Sequence, residues 1–144
     1  MNLTCDPAEM TPSEAFATVA LVAVACDGDL GREEAQALRQ QLERRTPYRN
    51  TSEAQMAALF DRLLAQLRTE GWRTLLSRAL AALNRDQQHT ALAMAAHLVH
   101  ADRVVSAQER QLLEAMAEQL GPDGGRTAQI LEVVAILNRD SLAE

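Results

Sequence analysis

Lysine is absent, and all fourteen basic residues are arginine. No amine is therefore available for Schiff-base chemistry, and no lysine for a phosphate-binding loop. Aromatic residues make up only 3% of the chain, against 47% hydrophobic residues overall. A core drawn from Ala, Leu, Val and Met suits packed helices rather than a β-sandwich. Two cysteines, Cys5 and Cys26, make no disulfide framework and read as reduced thiols of a cytosolic protein. No uninterrupted apolar run approaches the ~20 residues of a membrane span. The stretch Met1–Asp6 lacks the basic and apolar regions of a signal peptide. The net charge of −6 argues against a general nucleic-acid binder, because phosphate contact needs clustered cations. These absences lead to the expectation of a cytoplasmic protein with neither a membrane span nor a nucleic-acid partner.

What is present is helical punctuation. The 144 residues suffice for one domain with a substantial core, expected over 11–138 with tails at 1–10 and 139–144. Thr11-Pro12-Ser13-Glu14 supplies a cap, a first-turn proline and a capping-box acid. The helix it opens, through Cys26, is apolar nearly all round and belongs in the middle of a bundle. A second helix runs Arg32 to Arg45 with Leu38 and Leu42 inward, and Pro47 bars its continuation. Met56, Leu59, Phe60, Leu63, Leu64 and Leu67 follow a 3.6-residue period in a third. Gly71 separates it from a fourth, Trp72 to Leu83, where Trp72 reads as a core anchor. A fifth, entered at Asn84-Arg85-Asp86 and again apolar on almost every side at its centre, ends near Ala101. Ser106-Ala107-Gln108-Glu109 opens a sixth, ending at Gly121, and Arg126 to Leu137 forms the last. No strand signal competes. The fold expected is all-α, a compact bundle of about seven helices.

One motif occurs twice, seventy-five residues apart. Aligning Ser13–Leu42 with Gln88–Ala117 pairs Ala20 with Ala95, Val24 with Val99, Asp27 with Asp102, Glu34 with Glu109, Gln36 with Gln111 and Leu38 with Leu113. Each copy is an apolar helix, an Asp, a short turn and a Glu. The reading is an internal duplication, two helix–acidic turn–helix units at about 13–42 and 88–117 that bury each other's central helix.

The glutamates are explained in part as helix caps, Glu109 with Ser106 and Glu34 with Gly31, whose missing side chain leaves half a box. Asp27 and Asp102 follow helix ends, where a carboxylate opposes the dipole by ~0.3–1 kcal/mol. Two readings follow. In one, Asp27, Asp29, Glu34, Asp102 and Glu109 approach one another and bind a divalent cation, calcium or magnesium in preference to zinc. In the other, the acids are solvated or paired with Arg32 and Arg103. Asp27-Gly28-Asp29-Leu30-Gly31 has the opening of an EF-hand, but its twelfth position is Leu38 rather than Glu. His97 and His100 share a helix face with Asp102 beyond, yet a zinc set needs further ligands. No nucleophile–base arrangement and no glycine-rich phosphate loop is present, so no catalytic residue is assigned.

The Ala/Val-rich helix followed by Asp27-Gly28-Asp29-Leu30-Gly31-Arg32-Glu33-Glu34, with its second copy Ala101-Asp102-Arg103-Val104-Val105-Ser106-Ala107-Gln108-Glu109, resembles the tellurite-resistance TerB-like family over roughly Ser13 to Leu137. The resemblance implies a duplicated seven-helix fold and a role in bacterial tellurite and chemical-stress response. It also implies metal binding at Asp27, Glu34, Asp102 and Glu109, and membrane-linked complexes reached through protein partners rather than a span. Asp29 matches the first turn only. Arg103 and Val104 replace the Gly–acid pair in the second copy, and Gly31 replaces a Ser cap in the first. The functional expectation is a non-enzymatic stress-response domain that binds a cation. Its alternative is a metal-independent adaptor whose acidic face recruits a protein partner, and a homodimer is compatible with either.

Overall fold

A proline at the first position and a Thr11 hydroxyl accepting from Glu14 N at 3.1 Å start α1, Pro12–Ala25. In the computed structural model the described residues are 10–26, 28–100 and 105–142. The helices that follow are α2 (Arg32–Glu43), α3 (Glu53–Glu70), α4 (Trp72–Ala81), α5 (Arg85–His100), α6 (Ala107–Leu120) and α7 (Arg126–Leu137), with no strand among the described residues. The all-α expectation stands, and helix starts fall where capping chemistry puts them. Ser52 and Gln55 cap each other reciprocally at the start of α3, as Ser106 and Glu109 do at α6.

Helix α1 is the centre of the bundle. Nine of its residues are buried, from Ala15 to Ala25, and it touches α2, α3, α4 and α5. Its one buried hydroxyl, Thr18, is satisfied by the Glu14 carbonyl at 2.7 Å, the usual solution for a polar side chain inside a helix. Helix α5 packs along α1 and is covered in turn by α6 and α7. Ala17, Ala20 and Ala23 on α1 and Ala91, Ala95 and Ala96 on α5 are essentially inaccessible. Small side chains let helix axes approach closely, and leucines from α2, α3 and α4 fill the space around the pair.

Polar side chains stitch the periphery. Arg85 Nη1 donates to the Leu120 carbonyl at 2.6 Å, satisfying the last turn of α6. Gln88 Nε2 donates to Leu80 O at 2.8 Å, and Gln119 Nε2 to Ser77 Oγ at 2.8 Å. Trp72 is half-buried rather than a central anchor. It packs against the rim of the core with the Arg73 guanidinium 4.4 Å from its ring centre, because a residue at the first position of a helix sits at the end of the bundle. One element was not expected: Tyr48–Asn50 forms a 3-10 turn, and Tyr48 is buried with its hydroxyl donating to the Ser13 carbonyl. Burial pushes its phenol pKa upward.

Gly71 joins α3 to α4 single-handed, ending one helix and starting the next, at φ 87° and ψ 154°. That region is essentially reserved for glycine. A Cβ there would meet nothing within 4 Å, so the penalty of substitution is backbone strain alone. Gly71→Ala should lower stability by about 1–3 kcal/mol, read as a drop in the denaturant midpoint at unchanged slope.

A second tie joins α5 to the loop before α7. Asp123 Oδ2 accepts from the Thr127 hydroxyl at 2.5 Å, from Thr127 N at 2.9 Å and meets His89 Nε2 at 3.0 Å. The Thr127 hydroxyl first, then His89, hold the Asp123 carboxyl down at about 2, from an ordinary 3.8. Because the folded pKa is depressed, the stabilisation is present above 3.8 and disappears as pH falls through about 2. Asp123→Asn should therefore be less stable than the parent chain at neutral pH, and the difference should close across that acid window. Urea unfolding at a series of pH values checks this, and a pH-independent gap would contradict it.

Candidate functional site

The two inter-helix turns follow the C-terminal ends of the central helices. After α1, Gly28 N donates to the Ala25 carbonyl at 2.8 Å. Gly28 itself takes φ 91°, a left-handed conformation that favours glycine. Arg68 of α3 reaches over it, with Nε donating to the Gly28 carbonyl at 2.9 Å. The stem of the same side chain lies 3.6 Å from where a Gly28 Cβ would be. This arginine, absent from the sequence-derived site, clamps the first turn from a neighbouring helix.

Glu34 and Glu109 occupy the same station, the third position of α2 and of α6. Glu34 Oε1 accepts from Gly31 N at 3.0 Å, and Glu109 Oε1 from Ser106 N at 2.8 Å. At the second turn the Ser106 hydroxyl returns the bond to Glu109 N at 3.1 Å. Gly31 has no side chain to do so, and the Glu34 carboxylate lies 2.8 Å from where its Cβ would stand. The half-box expected at Gly31 is thus observed, and each glutamate is held beside its turn by one oxygen. Asp29 is exposed on the first turn. Asp27, Asp102 and Arg103 lie outside the described residues.

Among the described residues no three His, Cys, Asp or Glu side chains come together as a metal-binding group. Asp29, Glu34 and Glu109 therefore do not form one by themselves. Arg32 makes no ion pair among the described residues. Two of the three histidines have other partners. His89 meets Asp123, and His97 Nδ1 lies 3.3 Å from Asn138 Nδ2.

The two copies share cap geometry but not every packing detail. Leu38 is fully buried, while its aligned partner Leu113 is half-buried and Leu112 takes the buried place. Val24 is half-buried where Val99 is buried.

No helix among the described residues is long and apolar enough to cross a membrane. No curated protein and no solved structure matches the chain. A family does: the one described as Tellurite resistance protein TerB matches residues 13–132, the span holding both central helices and both acidic turns. On that match, which covers most of its length, the chain belongs to the TerB family.

Proposed function

We propose that this TerB-family chain is a non-enzymatic, cytoplasmic protein of the tellurite and chemical-stress response, binding a divalent cation weakly at its inter-helix turns. Family membership supports the stress role. One observation carries the cation: Glu34 and Glu109 stand at the same position after the two turns, each anchored through Oε1 to a cap N–H. That leaves Oε2 of each outside the cap bond, a fixed hard-oxygen donor of the kind calcium and magnesium take. Asp27, Asp29 and Asp102 would supply the remaining oxygens, and a cation would relieve the repulsion of acids at the negative ends of α1 and α5. The bound form would then present its turns to a protein partner.

Calorimetric titration of the metal-stripped chain with calcium, magnesium, manganese and zinc tests this. A weak site gives saturable heat near the roughly 0.1–1 mM range of low-affinity calcium modules. At about ten times the dissociation constant it should also raise stability by about 1.4 kcal/mol. The double change Asp27→Asn with Asp102→Asn should abolish both effects while leaving helicity intact. No heat and no thermal shift with any of the four ions would overturn the cation reading in favour of a metal-independent acidic adaptor. Loss of binding on His97→Ala instead would overturn the choice of ligands.

A further inference from the structure

At the opposite ends of α1 and α5 from the acidic turns lies a groove of about 660 Å³, within the size range of small-molecule sites. Phe16 and Leu83 give it apolar lining, and Tyr48 adds its ring, the hydroxyl being committed to Ser13. Its cationic wall comes from the end of α2. Arg44 lines it directly, and Arg45 lines it with its guanidinium 5.4 Å from the Phe16 ring centre. Arg49 is held beside the wall by a 3.3 Å bond to Thr46 Oγ1. None of these three arginines makes an ion pair among the described residues, whereas Arg39, Arg62 and Arg78 all do. No acid interrupts the sequence from Arg44 to Ser52 in a chain of net charge −6. First-turn residues of α1 (Pro12, Ser13) and of α5 (Asp86, Gln87) also line the groove, which brings two positive helix ends to it. Asp86 is the one acid among the described residues of the lining.

We infer that this groove binds a small organic anion, a phosphate or carboxylate group carried on an apolar, ring-sized body. The anionic group would sit between Arg44 and the ends of α1 and α5, and the body would lie on Phe16, Tyr48 and Leu83. Such a site is independent of the cation proposed for the turns, and its charge preference is the reverse.

The full chain can be titrated with 2-naphthyl phosphate, with inorganic phosphate and with neutral 2-naphthol, following amide shifts around Phe16 and Tyr48 by NMR. The expected result is saturable binding of 2-naphthyl phosphate at least about tenfold tighter than of either half, since loss of a charge-assisted hydrogen bond or of the apolar contact each amounts to about that factor. Arg44→Gln, at an exposed position, should weaken the ester about tenfold. Asp86→Asn should tighten it, an effect that damage to the fold would not produce. No saturation up to about 10 mM probe, a limit beyond which a site has negligible affinity, would overturn the inference. So would affinities that neither substitution moves, or an ester that binds no better than inorganic phosphate.

Discussion

The close packing of α1 against α5 is the constraint on which the rest of the fold depends. Helix α1 and the stretch of α5 from Ala91 to Val99 are largely apolar and buried, so neither can exist at a surface without exposing a large hydrophobic area. Small residues solve the geometry: alanines at the buried positions keep the axes near one another, while leucines arrive from the surrounding helices. Helices α2, α3 and α4 cover α1, and α6 and α7 cover α5. Polar ties such as Arg85 to Leu120 O and His89 to Asp123 then hold the outer layer in register.

That central pair also separates two charge patterns. Both acidic turns follow C-terminal ends, of α1 and α5, and the arginine-walled groove is lined by residues of both N-terminal ends. A helix of fourteen residues is roughly 21 Å long, so the two regions are at opposite ends of α1. An acid that follows the negative end of a helix is placed against the dipole, whereas the positive ends favour negative charge.

Helices were legible because their signals are local. Thr11 and Ser106 cap where their spacing to Glu14 and Glu109 says they should, and Gly71 marks the break between α3 and α4 through the one backbone conformation only it adopts. The cap role of the glutamates in the turns was legible for the same reason. What escaped sequence reading depends on distant partners. Tyr48 lies among polar and proline neighbours, and nothing local indicates that it reaches Ser13, thirty-five residues away. Arg68 clamps Gly28 across forty residues, and Asp123 finds His89 across thirty-four. The groove draws on three separate stretches, around Pro12–Phe16, Arg44–Tyr48 and Leu83–Thr90, and no local signal brings them together. The repeat alignment pairs Leu38 with Leu113, whereas Leu112 and Met116 supply the buried side of α6.

The dependence of the bundle on close approach of α1 and α5 is tested most directly by enlarging a buried alanine in each. Ala20→Leu and Ala95→Leu, at positions 1% and 0% exposed, should each destabilise by about 1–3 kcal/mol through overpacking. Ala128→Leu, on the exposed side of α7, should change stability by no more than about 0.5 kcal/mol. Equilibrium denaturant unfolding of the three variants gives the answer. If Ala20→Leu and Ala95→Leu prove as stable as the parent chain, the two helices have room to spare, and their packing is not what holds the structure together.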